Sequence, residues 1–157
     1  MSYTIRKIRP AEYPLLEDFL YEAIFLPEGA APPPRSILSE EALRVYIRDF
    51  GSRPGDVCLM AESGGQAVGA VWARIMDDYG HVDDETPSLA ISLYPAYRGG
   101  GIGTDLLGRM LAQLRQDGYK QVSLSVQRVN PAANLYRRMG FETLRGTEEE
   151  WIMIRRL

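Results

Sequence analysis

Apolar and polar residues alternate from Tyr3 to Arg9, the period of a half-buried strand. Pro10 then suits the first turn of a helix. Leu16, Phe19, Leu20, Ala23 and Ile24 recur at helical spacing and give that helix one apolar face. Pro27, Gly29 and Pro32-Pro33-Pro34 cannot continue it, so residues 27–35 are expected to form an extended surface loop. A second helix is predicted with Ser39 as N-cap and Glu40 and Glu41 in its first turn. It runs through Leu43, Tyr46, Ile47 and Phe50, with Gly51 ending it.

The middle of the chain changes to strand character. Two apolar runs, Val57 to Ala61 and Ala67 to Ile75, flank the hairpin signal Ser63-Gly64-Gly65. After an acidic, irregular stretch comes a further strand, Leu89–Tyr94, and then Arg98-Gly99-Gly100-Gly101-Ile102-Gly103-Thr104. The next helix carries Leu106, Leu107, Met110, Leu111 and Leu114 and closes at Gly118. Val122, Leu124 and Val126 alternate with polar neighbours as a strand. Asn130-Pro131 starts a short helix through Leu135, Tyr136 and Met139 to Gly140, and Phe141 onward gives two strands joined near Gly146. The order is β-α-α-β-β-β-α-β-α-β-β, with no repeat and no internal boundary, so residues 1–157 are read as one domain.

Composition narrows the function. A formal charge of −3 gives no support to a nucleic-acid partner. One cysteine, Cys58, excludes an internal disulfide and any multi-cysteine metal site, and one histidine, His81, leaves no His-based zinc motif, so no metal is expected. The first 25 residues carry no signal-peptide pattern, and no apolar run approaches the roughly 20 residues of a membrane span. A cytoplasmic location without membrane contact is the expectation. Cys58, in an apolar run, reads as a small core residue.

The glycine turn opens the chemistry. Three consecutive glycines and a fourth after Ile102 leave backbone N–H groups unshielded at the positive end of a helix, a receptor for phosphate or pyrophosphate. A Walker A loop would need a lysine before Thr104, and a Rossmann fingerprint belongs in the first strand–helix unit, so neither fits. A glycine-rich turn without a ligand is the plain alternative. Against it stands a second segment, Asn130-Pro131-Ala132-Ala133-Asn134-Leu135-Tyr136-Arg137-Arg138-Met139-Gly140-Phe141.

The pattern Arg98-x-x-Gly101-x-Gly103, with this second segment after it, resembles the GNAT superfamily of N-acetyltransferases in order and spacing, over essentially the whole chain. The resemblance implies a mixed α/β (α+β) fold. Its central sheet is mostly antiparallel and flanked by helices, with a splayed strand pair for acetyl-CoA. It implies that the backbone from Arg98 through Gly99, Gly100, Gly101, Ile102 and Gly103 to Thr104 holds the pyrophosphate. Leu93 is expected to offer its N–H to the thioester carbonyl, as an oxyanion hole does. Asn130 is expected to bond the cofactor's amide arm or to cap its helix. Tyr136 matches the family tyrosine that gives a proton to the departing thiolate, or it packs the helix against the sheet.

The implied activity is acetyl transfer to a primary amine of a small molecule or peptide, in a ternary complex. A non-catalytic acyl-CoA-binding or sensory module of the same fold is the alternative, and a homodimer is compatible with both. Related sequences often carry Glu just before the Leu89–Tyr94 run as general base; Ser88 stands here, leaving Glu85, Tyr94, His81 and ordered water as alternatives. The acidic stretch Asp77, Asp78, Asp83, Asp84 and Glu85 is either a solvated loop or an attractor for a cationic amine. The loop Leu26 to Ser36 is expected to shape the acceptor pocket, with Phe25, Leu26 and Glu28 as candidates. Trp72 is read as core, with the pocket wall as its other reading.

Overall fold

Seven strands make one sheet in the computed structural model, which describes residues 2–157. They are β1 (Thr4–Lys7), β2 (Val57–Ser63), β3 (Gln66–Arg74), β4 (Ser88–Leu93), β5 (Gln121–Gln127), β6 (Glu142–Gly146) and β7 (Glu150–Arg156), arranged β1-β2-β3-β4-β5-β7-β6. All neighbours are antiparallel except β4 and β5. The β2–β3 hairpin turns on Gly64 and Gly65 at φ +60° and +79°, the left-handed pair that matches strand twist.

Strand alternation sends side chains into two separate cores. On β2, Cys58 and Met60 pack with Leu16, Phe19 and Leu20 of α1 (Leu16–Ala23), on the face that also carries α2 (Glu41–Arg44). Leu59 and Ala61 pack on the other face with Leu106, Leu107 and Met110 of α3 (Ile102–Gln116). The short α4 (Ala132–Arg138) joins this second core through Ala133 and Tyr136, beside Phe141. Trp72 is fully buried among the α1-side residues, so it is core and no pocket wall, and Cys58 is buried as expected.

The predicted second helix is mostly absent. Only Glu41–Arg44 is α-helical, and Ser39 is no N-cap: it ends a 3-10 turn (Arg35–Ser39) and its hydroxyl donates to the Ser36 carbonyl. Residues 45–51 continue as turns, with Asp49 at φ +50° and Gly51 at +94°. The reason lies on β3. Arg74, fully buried, donates to the carbonyls of Val45 and Arg48, while the Trp72 indole N–H donates to Tyr46 O at 3.1 Å. These carbonyls are satisfied from the sheet rather than along a helix axis. A helical pattern of apolar residues is equally served by successive turns over such an anchor.

Arg74 also makes a two-pronged pair with Asp56, Nε to Oδ1 at 3.0 Å and Nη2 to Oδ2 at 2.9 Å, the two side chains being 0% and 1% exposed. Arg74→Met should therefore leave a buried uncompensated carboxylate and two unserved carbonyls. The expected loss is about 3–5 kcal/mol in urea unfolding, the range for breaking one partner of a buried pair. A loss below about 1 kcal/mol would show that the turns stand without the arginine.

Candidate active site

β4 and β5 meet at a single register pair, Ser88 with Ser123, and Ser123 N–H donates to Pro87 O at 3.0 Å. Beyond that point they separate. On its other edge β4 is held by β3 along its whole length, from Ser88–Arg74 to Leu93–Gly69, and Tyr94 N–H then bonds Val68 O. Backbone groups of an antiparallel strand face alternate sides, so Ile91 and Leu93 present theirs to the gap. The result is a fork floored by unpaired backbone.

Three local features hold the β4 arm of the fork open. Gly69 lies under Leu93 so closely that a Cβ there would sit 2.1 Å from Leu93 Cδ2. Arg98 folds back so that its Nε donates to Leu93 O at 3.0 Å, and its Nη2 reaches Glu22 O at 3.4 Å. Ser92 Oγ donates to Phe19 O at 2.6 Å and ties β4 to α1. The carbonyl of Leu93 is thus engaged, while its N–H faces the gap. The guanidinium of Arg98 serves this latch instead of reaching over the glycine turn.

The turn itself matches its sequence reading. Gly99 and Gly101 adopt φ +81° and +90°, and Gly101 is the N-cap of α3. The first bond into the helix is Asp105 N–H to Gly101 O at 3.1 Å. Among the described residues, no group accepts from the N–H groups of Gly99 through Thr104. A Cβ on Gly99, Gly100 or Gly101 would meet nothing within 4 Å, so the backbone borders open space. Six free donors at the positive end of a 15-residue helix fit a diphosphate. Thr104 is exposed on the first helical turn.

Tyr136 and Leu93 belong to the same core cluster, with Ile102, Val126 and Ala133. The Tyr136 ring packs 5.9 Å from that of Phe141, and burial alone pushes its phenol up to about 12. The proton is therefore held firmly at neutral pH. Asn130 Oδ1 accepts from Ala132 N–H at 2.9 Å, the capping role, which leaves its amide N–H₂ for other partners. Glu85 is exposed on a turn. His81 is occupied by Met76 O at 2.8 Å and Asp84 at 3.5 Å. The Tyr94 ring packs tilted against Phe19 with centroids 5.0 Å apart. Phe25 is half-buried, while Leu26 and Glu28 are exposed. None of these three is placed in the fork by a hydrogen bond or core contact. Among the described residues, no helix is long and apolar enough to cross a membrane and no group of three or more metal-ligating side chains occurs.

Sequence reasoning missed the fork's apex. Ser88 Oγ donates to Asp78 Oδ1 at 2.8 Å and lies 3.3 Å from Ser123 Oγ, which donates to Gly80 O at 2.7 Å. Gly80 presses on β5 so closely that a Cβ would meet Leu124 C at 3.0 Å. Nothing in the run Asp77-Asp78 separates the half-buried aspartate from its exposed neighbour. The only available signal was the glycine two residues later.

Residues 20–141 match the model of the Acetyltransferase (GNAT) family. The chain is 38% identical over 58 residues to a ribosomal-protein alanine N-acetyltransferase of Haemophilus influenzae, covering 37% of this chain and 40% of that protein. It is 31% identical over 116 residues to a mycothiol acetyltransferase of Saccharomonospora viridis, covering 71% of this chain and 38% of that one. The chain thus spans about two-fifths of the length of these relatives. Among solved structures, the PaiA N-acetyltransferase of Thermoplasma acidophilum in complex with coenzyme A aligns over 100% of both chains at TM-score 0.73 and 22% identity. A ribosomal-protein-alanine N-acetyltransferase of Brucella melitensis aligns over 98% of this chain and 99% of its own at TM-score 0.71 and 22% identity. Both share the fold.

The raised phenol of Tyr136 has a consequence for stability. Its native value near 12 exceeds the ordinary 10.0, so the unfolded chain releases this proton first. The contribution is complete below pH 10 and is lost as pH rises through 12. Melting temperature should therefore fall more steeply for the wild type than for Tyr136→Phe across that interval. Parallel curves would mean that Tyr136 is not shielded from solvent.

Proposed function

Because the chain belongs to the GNAT family of acetyltransferases, we propose that it moves an acetyl group from acetyl-CoA to a primary amine, by direct attack within a ternary complex. The observation that carries this reading is the convergence of three features: unpaired β4 backbone in the fork, six free N–H groups at the glycine turn, and a protonated Tyr136 in the same core as Leu93.

Each residue has a separate task. The N–H groups of Gly99 to Thr104 hold the pyrophosphate of acetyl-CoA, where the open space beside Gly99, Gly100 and Gly101 admits it. Acetyl-CoA, when bound, supplies the acyl group already activated as a thioester. Leu93 N–H, fixed by the Arg98 latch and the Gly69 contact, is directed at the carbonyl oxygen, where negative charge develops during attack. Tyr136 donates a hydrogen bond from its phenol to the sulfur as the thiolate departs. A phenol with an elevated pKa is a weak acid, yet a thiolate is basic enough to take a hydrogen bond from it as charge builds. Asn130 contributes its amide N–H₂ to the cofactor arm.

The acceptor amine enters on the opposite face of the sheet, the side of α1, where Ser88, Ala90 and Ser92 point. Antibiotic, polyamine, amino acid, peptide N-terminus and protein lysine all supply such an amine.

Free-thiol release from acetyl-CoA with a panel of amines tests the reading. Acceptor-dependent release supports it; thermal stabilisation by acetyl-CoA with no release across the panel would favour the binding-module alternative. Tyr136→Phe should lower kcat by about 10²-fold with cofactor affinity kept. Unchanged turnover would make Tyr136 structural. Gly101→Glu should abolish stabilisation by CoA, because a carboxylate enters the phosphate seat at a φ that L-residues resist. Unchanged affinity would remove the turn from the site.

A further inference from the structure

The fork's apex contains a half-buried carboxylate, Asp78. Asp78 Oδ1 accepts from Ser88 Oγ, but Oδ2 is buried and makes no hydrogen bond. Among the described residues no cation pairs with it. A buried carboxylate oxygen left unmatched is costly and calls for a functional reason.

The surroundings supply one. Tyr46, 7% exposed, has Asp78 and Ser125 as polar neighbours of its side chain, and both act on its ionisation. Ser125 lies two residues beyond Ser123 on β5, so its side chain emerges on the same face as Ser88. Unlike Ser88, Ser123 and Tyr46, it is partly exposed. The polar groups are therefore ordered from the partly exposed Ser125 through the buried Tyr46 to Asp78. The aspartate end is fixed by Ser88 and by the Gly80 contact with β5.

We propose that Asp78 is the proton acceptor for the attacking amine, reached through Ser125 and Tyr46. The inference rests on the acetyltransferase reading above. An ammonium at Ser125 gives its proton to Ser125 Oγ, Ser125 passes its own to Tyr46, and Tyr46, turning its hydroxyl to the unpaired Oδ2, passes its own to Asp78. One proton enters the line and one arrives, each hydroxyl is restored, and the amine nitrogen is left with a free electron pair. Asp78 later releases the proton to solvent.

The electrostatics agree. Burial raises the Asp78 carboxyl, opposed by Ser88, Tyr46 and the Gly80 N–H, so it binds a proton more readily than an exposed carboxylate. Glu150 on β7 is the other acid facing the line; burial raises it, and the charges of Glu149 and Asp78 raise it further. Arg145 on β6 is turned to His81 O, and the His81 ring to Met76 O.

Two acceptors separate this role from a structural one: an alkylamine, protonated at neutral pH, and an alkoxyamine, already unprotonated there. Asp78→Asn and Tyr46→Phe should each lower kcat/KM for the alkylamine by about 10²-fold, the low end of a lost proton transfer. Turnover of the alkoxyamine should change less than about threefold, because no proton must leave before attack. Acetyl-CoA should still raise the melting temperature of both variants. Equal losses with the two acceptors, or wild-type rates with both, would overturn the proposal while leaving acetyl transfer in place. A wild-type protein silent with every amine would overturn both.

Discussion

A parallel strand pair that hydrogen-bonds at one point and then stops is the constraint on which the site depends. Backbone donors and acceptors buried without partners are costly, so sheets normally pair to their ends. Here β5 is committed to β7 through seven register pairs and β4 to β3 through six. Neither can swing to close the gap without breaking a complete ladder. The groups left over along β4 are fixed in place and directed at whatever enters, which is the preorganisation that a developing charge requires.

Several residues of modest chemistry keep that arrangement from relaxing. Gly69 admits the Leu93 side chain, Arg98 takes the Leu93 carbonyl, and Gly80 lets the acidic loop settle on β5. Each acts by contact or by a single hydrogen bond, and together they separate the two ends of the fork. One end meets the positive pole of α3, with free N–H groups and no negative side chain in the turn itself. The other is lined by hydroxyls and carboxylates. On the proposed reading, anion and ammonium are thus drawn to opposite ends and opposite faces of one sheet.

The parts legible in the sequence were those with local rules. Gly64-Gly65 marked a hairpin, the glycines before α3 a turn that opens a helix, and the spacing of Leu106, Leu107, Met110, Leu111 and Leu114 a one-sided helix, all matching the structure. The failures came where a distant residue overrode a local pattern. Residues 45–51 carry helical apolar spacing but form turns, because Arg74 on β3 takes their carbonyls. Arg98 belongs to the glycine motif, yet its side chain is spent on β4 and α1. Asp78 looked identical to Asp77, since its burial is decided by Ser88 and β5, strands that follow it in the chain.

The single Ser88–Ser123 junction also divides the molecule by chain order. Strands β1 to β4 lie within residues 4–93, and β5 to β7 within residues 121–156, with α3 linking the two blocks. Ladder contacts are therefore made almost wholly inside each block. The boundary between the blocks is the same fork at which the proposed substrates would meet. A molecule that fills that fork bridges the two blocks, so ligand occupancy and the cooperativity of unfolding are coupled by architecture.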